Sequence, residues 1–122
     1  IQNSASHTEF KINEDGEFGI IEIGARMGGD CIGSDLVQIS TGYDFIKMVI
    51  DVACGKEPDF TKIVKPQKAH IKFIFNEKDL EKMNKFKEEH PERIYRISEM
   101  ELENLDKTVE SSSRLGYYIY TE

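Results

Sequence analysis

The 122-residue chain has no tryptophan, three prolines and two cysteines. Cys31 and Cys54 lie far apart and match no metal-ligand spacing, which argues against a disulfide framework or a cysteine-rich zinc site. They are expected to be free thiols in a reducing cytoplasm, with Cys31 a small packing residue beside a glycine-rich loop. No apolar run approaches the roughly 20 residues of a membrane-spanning helix, and no secretory signal is visible. Basic charge is also short: 16 Lys and Arg stand against 23 Asp and Glu, a net charge of −7. That balance argues against nucleic acid or an anionic membrane as the main partner. The length suits one domain, or one and a small appendage, burying about two-thirds of the unfolded surface.

The first informative pattern is a hairpin. Ser6–Asn13 and Glu17–Gly24 read as its two arms, joined at Asp15-Gly16, a dipeptide suited to a two-residue type I′ turn. That turn pairs Glu14 with Glu17, Phe10 with Ile21, Thr8 with Ile23 and Glu9 with Glu22. One face then holds Thr8, Phe10, Ile12, Ile21 and Ile23, an apolar strip expected to cover a core. The other holds His7, Glu9, Lys11, Ile20, Glu22 and Gly24. Like charges directly opposed on a sheet repel. Two readings follow: a solvated pair softened by Lys11, or a site where a divalent cation turns repulsion into coordination. Magnesium suits the second, taking one or two carboxylates and completing its shell with water and phosphate oxygens. His7 faces Gly24 beside the pair, either as an ordinary polar strand residue or within reach of substrate.

The next segment, Ala25-Arg26-Met27-Gly28-Gly29-Asp30-Cys31-Ile32-Gly33-Ser34-Asp35, leaves the second arm through a loop with three glycines. Glycine admits close backbone approach to a ligand, and the planar guanidinium of Arg26 suits phosphate or carboxylate. Ser34 or Asp35 is expected to cap a short helix running through Ser40, so that the loop ends near a helix N-terminus. Metal ligands, a cationic clamp and backbone donors are what phosphoryl transfer requires.

Further along, apolar residues at Phe45, Met48, Val49, Val52 and Ala53 predict a helix over 45–54, capped by Asp44 and ended by Gly55. It is expected to pack on the apolar hairpin face. Residues 56–67, with Pro58 and Pro66, have linker composition. A strand over Ala69–Phe75, a charged helix over Glu77–Glu89, a strand over Ile94–Ile97, a polar stretch and a strand over Leu115–Tyr120 follow. His70, His90 and the tyrosines near the C-terminus read as structural residues.

His7-Thr8-Glu9-Phe10-Lys11, with Ile21-Glu22-Ile23-Gly24-Ala25-Arg26-Met27-Gly28-Gly29-Asp30, resembles the last part of an ATP-grasp domain. The likeness is to carboxylate–amine ligases of the kind grouped with L-amino-acid ligases and the carbamoyl-phosphate synthase large chain. Lys68–Phe75 and Ser113–Tyr120 are similar to the opening and closing strands of the small domain that ends such ligases. The resemblance implies an α+β fold: an antiparallel sheet with flanking helices over 1–55, a linker over 56–67, and a small β-α-β-type unit over 68–122. It implies ATP and Mg2+ (or Mn2+) as cofactors, with Glu9 and Glu22 as metal ligands and Arg26 on the transferred phosphoryl group. Gly28, Gly29 and Asp30 would orient the acceptor or amine. Gly24 stands where many members carry an asparagine ligand, which leaves one metal or two open. The partners implied are a small carboxylate, an amine and the upstream domains of the same ligase. The lysines, lid and adenine-binding strand of such enzymes do not occur in these residues, so the expectation is a C-terminal piece that is inactive alone. The rival expectation is a non-catalytic ligand-binding or assembly module. Strand exchange between copies would make a homodimer.

Overall fold

The computed structural model describes residues 2–101, 103 and 113–122. It divides into two compact units, Ile1–Pro66 and Gln67–Glu122.

The first unit begins with the antiparallel hairpin of β1 (His7–Ile12) and β2 (Phe18–Gly24). Glu9 pairs with Glu22, Thr8 with Ile23 and His7 with Gly24, as the sequence predicts. Nearer the turn the register differs by one: Phe10 pairs with Ile20, Lys11 with Gly19 and Ile12 with Phe18. Two local features produce this. The turn is a three-residue loop, Glu14–Gly16, closed by Asn13 N–H donating to Glu17 O at 3.0 Å. Asn13 Oδ1 accepts from the backbone of Asp15 and Glu17 at 3.1 and 2.8 Å, and Gly16 takes φ +83°. That is the geometry of a three-residue hairpin with a left-handed glycine, not the two-residue turn expected. A bulge at Ile21 then supplies one extra residue on β2 and returns the strands to the predicted pairing at Glu9 and Glu22. In consequence Ile20, not Ile21, joins Thr8, Phe10, Ile12 and Ile23 on the apolar face, and Phe18 joins them. The Phe10 and Phe18 rings meet edge to face at 6.5 Å.

The loop after β2 runs into a five-residue π-helical turn, Ile32–Leu36, continued by α1 (Val37–Thr41). The helical path thus starts earlier than predicted. Neither Ser34 nor Asp35 is its cap: Cys31 occupies that position at φ +61° without a side-chain capping bond. The Ser34 hydroxyl instead donates to the buried Asp35 carboxylate at 2.5 Å. At the end of α1, Gly42 has φ +85°, and a Cβ there would fall 2.5 Å from Val64 O. Ile63 N–H donates to Gly42 O at 2.8 Å, and Tyr43 bridges Lys62, so residues of the proline-bearing stretch fold back on this unit. The helix α2 (Phe45–Ala53) is capped by Asp44, which accepts from Lys47 N–H at 3.0 Å. Lys47 pairs with Asp51 one turn along.

The expected packing of α2 on the apolar hairpin face is not what forms. Phe10, Ile12, Phe18, Ile20 and Ile23 are all more than half exposed, while α2 lies against the π-helical turn. Helical periodicity identifies an apolar stripe but not the surface that covers it.

In the second unit, β3 (Ala69–Ile74), α3 (Glu77–Glu89), β4 (Ile94–Ile97) and β5 (Gly116–Thr121) build a three-stranded antiparallel sheet. The central strand is β5, antiparallel to both neighbours, so β3 and β4 run parallel on either side of it. This is a β-α-β unit split by a later strand. Asn76 caps α3 by accepting from Asp79 N–H at 3.1 Å, and the first turn carries Glu77 and Asp79 at the positive end of the helix dipole. Ile74, Met83, Leu115 and Tyr118 form the core, flanked by Leu80, Phe86, Ile94, Ile97, Met100 and Tyr120. Burial pushes the Tyr118 phenol up.

Arg114 lies with its guanidinium carbon 3.9 Å from the Phe73 ring centroid, a packing role that the sequence did not suggest. His70 stacks on Tyr120 at 4.8 Å. Glu122 reaches Lys68 Nζ at 3.2 Å and His70 Nε2 at 3.1 Å. Lys68 first, then His70, holds the Glu122 carboxyl below the usual range. The polar stretch between β4 and β5 falls largely outside the described residues. No described helix is long and apolar enough to cross a membrane.

Leu115 is fully buried in the core of the second unit. Leu115→Ala is expected to destabilise that unit by about 2–5 kcal/mol, read from the shift of its urea-unfolding midpoint.

Candidate functional site

The alternation of β1 sends His7, Glu9 and Lys11 to one face, opposite Gly24, Glu22 and Gly19 on β2. Directly opposed side chains on antiparallel strands start about 5 Å apart at Cβ. The two glutamates therefore leave the ladder side by side, both exposed, with an imidazole on one flank and an ammonium on the other. The two glycines keep the ladder open beside them.

Gly24 gives this end of the site its shape. A Cβ there would stand 3.5 Å from Arg26 Cγ and 3.8 Å from Arg26 Nε. The arginine stem thus folds back over the end of β2, close to the His7–Gly24 pair, instead of extending away along the strand. Its Nη1 donates to Met27 O at 3.1 Å, and the side chain remains exposed.

The loop that follows is tightly wound. Ile32 N–H donates to Gly29 O at 2.8 Å and Gly33 N–H to Gly28 O at 3.2 Å. Gly28 and Gly33 are buried, whereas Gly29 and Asp30 are exposed at the tip. A Cβ on Gly33 would meet Met27 Cβ at 2.9 Å, and one on Gly28 would meet Ile32 Cβ at 2.9 Å. Asp30 and Cys31 both take left-handed backbone, at φ +48° and +61°. The glycines serve close backbone packing here, and Cys31 is partly buried at the inner turn.

The chemistry available is two hard oxygen donors and a guanidinium within one short stretch of chain. No group of three or more His, Cys, Asp or Glu among the described residues is placed to hold a metal ion. Two carboxylates suit magnesium, whose remaining positions are filled by water and substrate phosphates. The donor set fits a phosphate-dependent divalent ion and would not suit a dedicated structural metal. A different concavity lies on the opposite side of the hairpin. It is an open groove of about 340 Å³ lined by Thr8, Phe10, Ile12, Gly16, Phe18 and Ile20. Its walls lack titratable groups, so it suits packing rather than catalysis.

The sequence reading placed Asn13 at the end of the first arm and Ile21 opposite Phe10, but Asn13 closes the turn and Ile21 is the bulge residue. An asparagine three residues before a glycine is the signal for the wider turn. The bulge has no comparable local signal.

No family model matches the chain. The structure is similar to phosphoribosylglycinamide synthetase from Anaerococcus prevotii, with a TM-score of 0.73 and 22% identity over 98% of this chain and 32% of that one. It is also similar to L-amino acid ligase from Bacillus licheniformis, with a TM-score of 0.63 and 21% identity over 96% of this chain and 32% of that one. The fold is therefore that of part of each of these two enzymes. In sequence, 63 residues are 36% identical to alanine–anticapsin ligase of Bacillus subtilis and 35% identical to that of Bacillus amyloliquefaciens. That match covers 51% of this chain and 13% of those ligases. The relatives are named as ligases and a synthetase, and this chain aligns with a third or less of each.

Because the turn sets the strand register, Gly16→Ala is expected to weaken the hairpin by about 1–2 kcal/mol, the cost of a Cβ in left-handed backbone. Amide hydrogen exchange across Ile20–Ile23 should accelerate about tenfold or more, while exchange in β5 stays unchanged.

Proposed function

We propose that the chain is the C-terminal portion of an ATP-dependent ligase that joins a carboxylate to an amine through an acyl phosphate. The observation that carries this reading is the direct pairing of Glu9 with Glu22 across the hairpin, with Arg26 folded back beside the same end. The ligase fold and the partial sequence match support it. Residues 1–55 would form the end of the catalytic domain and residues 68–122 a small accessory subdomain, in a soluble protein of the cytoplasm.

In the complete enzyme, Glu9 and Glu22 would hold Mg2+ or Mn2+ for use with ATP. The ion would supply charge neutralisation on the phosphate oxygens. Arg26 offers a bidentate, permanently charged fork to the phosphoryl group as the substrate carboxylate attacks. The carboxylate oxygen forms a bond to the γ phosphorus while the bond to the bridging oxygen of ADP breaks. The amine then displaces phosphate from the acyl carbon. Gly29 and Asp30 at the loop tip, with Gly28 buried behind them, would orient that amine. The chain contributes position and electrostatics, which is where most of the catalysis in phosphoryl transfer lies. The exposed apolar hairpin face is where upstream parts of the same ligase would pack, since two-thirds of the structural relatives' length lies outside the match.

Two outcomes test the assignment in the protein that contains this chain. Glu22→Ala should lower amine-dependent ATP turnover by at least ~100-fold, with its circular dichroism unaltered. The same variant should abolish magnesium binding in the presence of ATP, as read by calorimetry. Near-normal turnover would instead remove Glu22 from the metal-binding role. Arg26→Lys should lose on the order of 10³ in kcat, because an ammonium cannot reproduce the planar fork. A loss smaller than tenfold would remove Arg26 from the phosphoryl-binding role.

A further inference from the structure

The sequence leaves His7 with two roles open, and the structure gives it a contact that separates them. His7 and Glu9 are two apart on β1 and share a face. The position directly across from His7 is Gly24, which has no side chain to occupy the space above the ladder. The imidazole is partly buried, although the neighbouring β1 residues Thr8, Glu9 and Phe10 are exposed. It reaches the loop: a Cβ on Gly28 would lie 3.1 Å from His7 Cδ2 and 2.9 Å from both Cβ and Cγ2 of Ile32. The imidazole and Ile32 thus both crowd the side of Gly28 on which a Cβ would stand. Gly28 has an ordinary backbone conformation, since it is absent from the positive-φ residues. Close approach of His7 and Ile32, not left-handed geometry, therefore requires glycine at this position.

We propose that His7 is a positioning residue whose ring acts as a spacer setting the Gly28–Asp30 loop relative to the Glu9–Glu22 pair. The spacing has a geometric basis. The loop leaves β2 through Ala25, Arg26 and Met27 and is wound against the π-helical turn, and His7 is the β1 side chain that meets it at Gly28. A planar, two-torsion side chain on a hydrogen-bonded strand is a stiff support that loses little entropy on packing. The groups it holds in place are the exposed Gly29 and Asp30, and the adjacent stem of Arg26. Its effect falls on the substrate held by the loop, while the carboxylates and their metal depend on the hairpin itself. That part of the inference rests on the ligase reading; the contact between His7 and Gly28 does not.

The test combines a structural readout with a kinetic one in the full-length protein. His7→Ala is expected to raise hydrogen exchange about tenfold at Ile32 and Gly33, whose amides close the loop on Gly29 and Gly28. It should also raise KM for the amine by about 10- to 100-fold, the scale of a misplacement near 1 Å, and leave KM for ATP within about twofold. His7→Phe keeps a planar ring of similar width and should restore both readouts to near wild type. Gly28→Ala pushes on the same contact from the loop side and should give the pattern of His7→Ala. Unchanged loop exchange in His7→Ala overturns the proposal, whatever the kinetics. So does a His7→Phe variant as impaired as His7→Ala, because a ring nitrogen would then be acting and not the bulk of the ring. Slow exchange retained in β3 and β5 identifies folded protein in each case. Should the wild-type protein show no amine-dependent nucleotide turnover, the ligase reading fails, and the exchange measurements still decide the spacer role.

Discussion

The candidate site depends on one constraint, the pairing of Glu9 with Glu22, and that pairing depends on two backbone irregularities that offset each other. The Asn13-closed turn contains one residue more than a tight two-residue hairpin, which shifts the ladder by one position. Carried along the strands, that shift would place Ile21 opposite Glu9 and move Glu22 to the other face. The bulge at Ile21 absorbs the shift before the carboxylates are reached. Because the shift is absorbed, Glu9 and Glu22 stay on the face opposite Phe10, Phe18 and Ile20, so one side of the hairpin is apolar and the other carries the carboxylates.

Glycine placement turns this end of the hairpin into a site. Gly24 removes the side chain that would compete with the Arg26 stem, and it leaves His7 room to reach beyond its own ladder position. Gly28 and Gly33 then allow the following loop to wind against His7, Ile32 and Met27. Two opposed carboxylates, a folded-back arginine and a supported loop thus come from fewer than thirty consecutive residues. Their nearness is a property of one hairpin and its exit, and it needs no long-range packing to form. The second unit is held differently, by Ile74, Leu115, Met83 and Tyr118 between α3 and the sheet.

The amphipathic signals and the Asp44 cap were legible because they are local. Asp44 caps α2 and α3 occupies Glu77–Glu89 as predicted, whereas the cap expected at Ser34 or Asp35 does not form and the Asn76 cap of α3 was not foreseen. The position of β5 between β3 and β4 was not legible, since alternation marks a strand without naming its neighbours. The fate of the apolar hairpin strip was misread for the same reason. Its residues have the pattern of a covered face, yet they stand exposed, and the helix expected to cover them packs on the π-helical turn. Arg114 shows the converse: a cation with no local pattern around it finds the Phe73 ring through the β3–β5 pairing.

By itself, the sequence determined the existence of the hairpin, the span of α3 and the cap of α2, which follow from side-chain period and capping that act over a few residues, while the resemblance to ATP-grasp ligases rests on the residues of the two strands and the glycine loop. Only the tertiary structure decided where the bulge falls, which isoleucine joins the apolar face, how Arg26 lies over Gly24 and what His7 touches. Those outcomes are settled by steric exclusion between segments, in which tenths of an ångström at a missing Cβ decide the path of the backbone. No pattern of residue types records such distances.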